Sequence, residues 1–252
     1  MRGPGQIRVS VFPNDRAAAR ALARQIADAV RAKPSLVLGL PTGRTPVRLY
    51  QELHSLATRD DVDFSAVRTF NLDEFLGVDA GHPGSYRRFM QEHLFAAAGI
   101  AAANVHFLDG ASPDPDAECA RYEEAIVAAG GIDVQILGIG TNGHIGFNEP
   151  ARELQARTHR VRLKPETRRS NAALFGGDPA AVPAEALSMG MATILQARAI
   201  VLLATGRSKA ACIGRVVNGP ITTRLPASFL QLHHDVQVVL DEAAAGALRK
   251  EK

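Results

Sequence analysis

The sequence predicts an α/β fold: a single domain over residues 1–252, built on an open, mostly parallel sheet with helices on both faces. Three observations predict it. Short apolar runs alternate with stretches whose apolar residues recur at helical spacing, the pattern of repeated strand and helix units. Several runs end in loops rich in glycine, threonine and charge, as expected where the carboxyl edge of a sheet holds a ligand. A chain of 252 residues with 46% hydrophobic content can bury a full core on this plan.

Residues 7–12 read as the first strand, with Pro13 and Asn14 capping a helix. Ala18, Leu22, Ile26 and Val30 form its buried stripe. Residues 35–40 are the second strand, joined by Pro41-Thr-Gly-Arg-Thr-Pro46 to a helix with Thr45 as cap and Pro46 at the first helical position. The strand at 67–72 runs into Asp73-Glu74-Phe75. A helix follows over 85–95, a short strand over 105–108, and a helix over 116–129 closed by Gly130 and Gly131. Residues 132–137 form a buried strand. The rest predicts a strand at 161–163, a helix around 184–196, a strand at 199–204, the loop Thr205-Gly-Arg-Ser-Lys209, a further helix, and a last strand at 236–240.

Composition excludes several classes. No apolar run reaches the ~20 residues of a membrane span, and Met1-Arg-Gly-Pro-Gly-Gln6 is too short and polar for a signal sequence, so a cytoplasmic protein is expected. Cys119 and Cys212 sit among apolar neighbours and read as reduced packing residues. Net charge is only +3, with arginines and lysines concentrated between Arg152 and Arg169. That excess suits an anionic ligand or a solvated face. No aromatic residue interleaves with it, so nucleic acid is not expected.

The chain is organised around Gly138-Ile-Gly-Thr-Asn-Gly-His-Ile-Gly-Phe-Asn-Glu-Pro150, which packs four glycines, two amides, an imidazole and a carboxylate behind a strand. Gly138, Gly140 and Gly143 satisfy the dinucleotide glycine pattern, but a glycine and a proline follow where a helix is needed, so no nicotinamide cofactor is expected. Gly39-Leu-Pro-Thr-Gly-Arg-Thr45 is one residue short of a nucleotide-binding P-loop and carries Arg44 in place of the lysine. What remains is a phosphate cradle of Thr42, Gly43, Arg44 and Thr45 at a helix N-terminus, with Lys209 adding a charge from another loop. Asp73 is a candidate proton-transfer base, and Asn142, His144 and Glu149 form a second proton-transfer group. These are too few and oddly spaced for a metal, so none is expected. His82, His106, His159, His233 and His234 read as local structure.

Read with Leu38-Gly-Leu-Pro-Thr-Gly43 and Phe70-Asn-Leu-Asp-Glu-Phe75, the Gly138 to Pro150 loop makes the sequence resemble glucosamine-6-phosphate deaminases, also called isomerases. Ala186-Leu-Ser-Met-Gly190, Thr205-Gly-Arg-Ser-Lys209 and Pro226-Ala-Ser-Phe-Leu230 extend the resemblance over nearly the whole chain. The resemblance implies that an amino-sugar phosphate is converted, without cofactor, to fructose 6-phosphate and ammonia. His144 would open the pyranose ring, oriented by Glu149 and Asn142. Asp73 would move the C2 proton to C1, and hydrolysis of the resulting C2 imine would release ammonia.

The same fold serves 6-phosphogluconolactonases, which lack the Asn-Glu-Pro ending, and sugar-binding regulators with a DNA-binding module, for which a sheet starting at Ile7 leaves no room. Galactosamine 6-phosphate deamination, lactone hydrolysis and a non-catalytic sugar-phosphate sensor stay open alternatives, as do a monomer and a homo-oligomer.

Three departures from the family pattern stand out. Asn142 replaces a frequent aspartate, Arg44 replaces a cradle glycine, and Ala173 stands where an arginine usually grips phosphate. Arg44 is expected to replace that guanidinium, with Arg168 or Arg169 as the alternative. The basic pair used for allosteric activation in some members corresponds to His159 and Val161, and the chain has no long tail after Glu242. Simple saturation kinetics are therefore expected.

Overall fold

The computed structural model describes residues 7–59 and 62–248, so the Met1 to Gln6 stretch read against a signal sequence lies outside the described residues. Among the described residues ten strands carry the fold: β1 (Arg8–Phe12), β2 (Val37–Leu40), β3 (Arg68–Asn71), β4 (Asp73–Phe75), β5 (Val105–His106), β6 (Val134–Leu137), β7 (His159–Arg162), β8 (Glu185–Ser188), β9 (Ala199–Ala204) and β10 (Val236–Asp241). Seven form one parallel sheet in the order β1-β10-β9-β6-β2-β3-β5. The chain steps outward from β2 through β3 to β5, returns to β6, and steps the other way through β9 and β10. The reversal lies between β2 and β6, where a crevice opens beyond the carboxyl ends of the strands.

Alternation along the strands divides the interior into two cores. Leu38, Leu40, Ile136, Val201, Leu203 and Val239 face one side. There they meet α1 (Asp15–Ala32) and α2 (Arg44–Arg59) through Ala18, Leu22, Ile26, Val30, Leu49 and Leu53. Val37, Leu137, Leu202, Val238 and Leu240 face the other. The helix that begins as α3 (Tyr86–Met90) passes through a π turn at Gln91–Phe95 into α4 (Ala96–Ala98). On the second face lie α5 (Pro115–Ala128), α7 (Met191–Leu195) and α8 (Ala210–Asn218), and the short α6 (Pro165–Asn171) precedes α7 in the chain. Two-sided burial explains why these strands read as continuous apolar runs. Removing one such side chain, as in Leu22→Ala, costs about 2 to 5 kcal/mol.

Asn14 caps α1 as expected, its side chain accepting the Ala17 N–H at 2.9 Å. Thr45 is not a cap, however. The helix already begins at Arg44, because Gly43 takes a left-handed turn (φ 99°) that swings the chain into helix one residue early. A second correction is larger. The helix expected around 184–196 is split into β8 and the shorter α7, with Gly190 between them, where a Cβ would stand 2.2 Å from the Arg157 carbonyl oxygen.

Local composition favours helix there, but β8 pairs antiparallel with both β4 and β7 and completes a second, three-stranded sheet. That pairing overrides propensity. The strand expected at 105–108 closes after His106, and the one expected at 161–163 is β7, which starts at His159.

Candidate active site

The chain leaves the main sheet at Leu72, whose carbonyl accepts the Met189 N–H at 2.8 Å, and enters the small sheet with Asp73. Asp73 is buried at 6% exposure and receives no hydrogen bond from the described residues. Burial, with the charge of Glu74 beside it, pushes its carboxyl up to about 8. Glu74 is its opposite in partnership: the Phe75, Tyr86 and Arg87 N–H groups and the Ser85 hydroxyl all donate to it. It pins the start of α3 to β4, so the adjacent carboxylates have separate work.

The loop after β6 folds over Asp73. A Cβ at Gly146 would stand 3.0 Å from Ser188 Oγ and 3.7 Å from Asp73 Oδ2, a tight fit at a backbone angle (φ 56°) that favours glycine. Ser188 accepts the Phe147 N–H at 3.0 Å, and Asn148 Nδ2 donates to the carbonyls of Ile145 (3.0 Å) and Met189 (2.8 Å). His144 lies across Gly140, where a Cβ would meet the ring 2.3 Å from its nearest carbon. Its backbone N–H reaches Asn142 Oδ1 at 3.2 Å, while Nδ1 is buried without a partner.

Burial lowers the proton affinity of His144, Glu149 opposes that, and Lys209 and Lys164 reinforce it. Glu149 itself is held by Asn142 Nδ2 at 3.0 Å and by the Thr167 hydroxyl. It acts on the imidazole through charge, one of the two roles, orienting or charging the ring, that the sequence leaves open for it.

At the cradle, Pro46 has no N–H, and the amides of Arg44 and Thr45 open α2 without intrahelical acceptors. The Tyr50 hydroxyl fixes the loop by donating to the Pro41 carbonyl. Lys209 crosses from the loop after β9 to the Ile139 carbonyl at 2.6 Å, and burial followed by the charge of Arg44 lowers its proton affinity. Arg44 is exposed and makes no hydrogen bond or ion pair with the described residues. Arg168 is committed to the carbonyls of Val182 and Ala180, both at 2.9 Å, and Arg169 pairs with Glu166 at 2.8 Å.

Two groups that sequence reading missed join these loops. The Tyr86 phenol, kept protonated by burial and near Thr42, donates to Asn171 Oδ1 at 2.8 Å. Asn171 Nδ2 in turn donates to the Thr167 carbonyl at 2.9 Å. Tyr86 is thereby tied to α6, whose Thr167 hydroxyl donates to Glu149. Nothing local in the sequence marks the tyrosine's partner 85 residues away.

A separate cleft of about 390 Å³ opens where Glu74, Arg87, His106, Asp109, Glu118 and Arg121 meet. Its buried carboxylates are already satisfied, Glu74 as above and Glu118 by Arg121 at 2.6 Å. Among the described residues, no group of three or more His, Cys, Asp or Glu is arranged to hold a metal ion. No helix among them is long and apolar enough to cross a membrane.

Residues 15–240 match the family model described as glucosamine-6-phosphate isomerases/6-phosphogluconolactonase. The chain belongs to this family. Within it, the chain is 49% identical over 225 residues to glucosamine-6-phosphate deaminase 2 of Bacillus subtilis, covering 89% of this chain and 90% of that one. A glucosamine-6-phosphate deaminase of Rhodopirellula baltica is 45% identical over 250 residues, covering 99% of each chain.

A solved monomeric glucosamine-6-phosphate deaminase superposes with a TM-score of 0.92 at 38% identity, covering 96% of this chain and all of that one. A 6-phosphogluconolactonase from Trypanosoma brucei shares the fold at 22% identity and a TM-score of 0.73, covering 97% of this chain and 99% of that one. The open, mostly parallel sheet expected from the sequence is thus the fold of this family.

Proposed function

We infer that the chain deaminates glucosamine 6-phosphate, giving fructose 6-phosphate and ammonia. Curated relatives at 45–50% identity over most of the chain carry that activity in their names. The observation that carries the reading within this molecule is Asp73: a buried carboxylate with no donor among the described residues, raised to about 8 by burial and the charge of Glu74, beside the loop that holds His144. Lactone hydrolysis removes no carbon-bound proton, whereas transfer of the C2 proton requires a base placed for it.

In the proposed sequence the sugar phosphate binds with its phosphate at Thr42, Gly43, Arg44 and Thr45, where amide groups and the helix dipole favour an anion. Lys209 and Arg44 add charge. His144 takes the proton of the anomeric hydroxyl and delivers it to the ring oxygen as the C1–O5 bond breaks, so the ring opens to the aldehyde, with Asn142 and Glu149 holding the loop. Asp73 removes the C2 proton to give an enolamine and returns it to C1. The C2 imine then adds water and loses ammonia. Buried, unpaired Cys119 and Cys212 fit a reducing cytoplasm.

Ammonia release should be measured with glucosamine 6-phosphate, galactosamine 6-phosphate and 6-phosphogluconolactone offered separately. Ammonia from the first, lost in Asp73→Asn, is expected. Release from the galactose epimer alone would reassign the substrate, and lactone hydrolysis without ammonia would overturn the reading.

A further inference from the structure

Lys164 stands immediately before α6, where its ammonium donates to the Pro150 carbonyl at 2.7 Å and lies 3.8 Å from Glu149 Oε2. Glu149 thereby faces three groups: Lys164 and the Thr167 hydroxyl from the α6 side, and Asn142 Nδ2 from its own loop. None of these hydrogen bonds reaches the His144 ring, whose Nδ1 is buried without a partner.

The charges acting on that ring are Glu149 from its own loop, Lys209 from the loop after β9, and Lys164 from the α6 side. The single anion is therefore already engaged by a cation. A protonated imidazole here would be poorly compensated, because burial and two ammonium groups disfavour it.

We propose that Lys164 is a positioning residue for the deamination, its ammonium engaging Glu149 so that His144 meets the anomeric hydroxyl as a neutral ring able to accept a proton. This rests on the reading of His144 given above. Lys164 is otherwise one of many cations in the basic segment, and only its contact with Glu149 sets it apart. Its side chain is 44% exposed, so Lys164→Met keeps the aliphatic stem and removes the charge without opening a cavity.

The test follows His144 by NMR in ¹³C-histidine-labelled full-length protein, its signal identified by its loss in His144→Asn. In Lys164→Met the His144 titration should move upward by roughly half a unit to one unit, the scale of one partly screened charge. In Lys164→Arg it should stay at its wild-type position. Ammonia release at pH 6 relative to pH 8 should fall in Lys164→Met, by no more than the roughly 3- to 10-fold that a shift of that size allows. An unmoved titration, with or without a lower melting temperature, overturns the proposal and leaves the function intact. Ammonia release that survives His144→Asn overturns the reading on which the proposal rests.

Discussion

Asp73 and Ser188 face each other across the antiparallel β4–β8 pair, and the Ser188 hydroxyl that accepts the Phe147 N–H at 3.0 Å ties Asp73's strand to the loop carrying His144. That hydroxyl and the Asn148 amide, which donates to the Met189 carbonyl at 2.8 Å, together hold the two candidate proton-transfer groups side by side. Ser188→Ala would leave a buried N–H without an acceptor, at a cost of about 1 to 3 kcal/mol. The melting temperature should fall by roughly 2 to 4 °C for each kcal/mol. A calorimetric scan checks this, and an unchanged melting temperature would show that the loop is held elsewhere.

Asp73 should cost stability as well as supply chemistry. Its carboxyl titrates at about 8 in the folded chain and in the ordinary carboxylate range when unfolded. Between those limits the folded chain keeps a proton that the unfolded chain releases. The contribution is therefore fully present below about pH 4 and is lost as pH rises through about 8. Asp73→Asn removes this titration. It should melt higher than wild type, with the gain growing from pH 5 to pH 9, as thermal scans across that range would show.

Gly140 leaves room for the His144 ring. Gly140→Ala places a methyl within 2.3 to 2.6 Å of three ring atoms, so the imidazole must leave its position. A displacement of about 1 Å at a reacting group can cost roughly 100-fold in rate. We expect kcat to fall by that order while the phosphate cradle and KM change little, and steady-state kinetics separates the two.

Of Arg44, Arg168 and Arg169, Arg44 alone makes no hydrogen bond or ion pair with the described residues, and we propose that it takes the place of the guanidinium missing at Ala173. A charged hydrogen bond is worth about 1.5 to 3 kcal/mol, so Arg44→Gly should raise KM for the phosphosugar about 10- to 100-fold with little change in kcat. An unchanged KM would return the role to another residue.

The main sheet was legible because its strands are buried on both faces and the helices between them carry regular apolar stripes: Ala18, Leu22, Ile26 and Val30 all lie in one core. The loops that the sequence singled out converge for the same reason, since parallel strands deliver them to one edge. The second sheet was not legible. Glu185-Ala-Leu-Ser188 has no alternation to mark a strand and becomes one through pairing with β4 and β7, which are distant in sequence.

Side-chain partnerships behaved likewise. Glu74 and Asp73 are neighbours of one type, and only the fold decides that the first is saturated by four donors while the second is left bare. Thr167, Tyr86 and Lys164 gain their meaning from contacts with loops far along the chain.

We propose that Asp73 carries a proton from C2 to C1 of the open-chain sugar. The most direct test is turnover of glucosamine 6-phosphate deuterated at C2, reading both the rate of ammonia release and the deuterium at C1 of the product. A slower rate with the deuterated substrate and deuterium retained at C1, both lost with Asp73→Asn, is the predicted result. Equal rates, no deuterium at C1, and undiminished turnover by Asp73→Asn would contradict it.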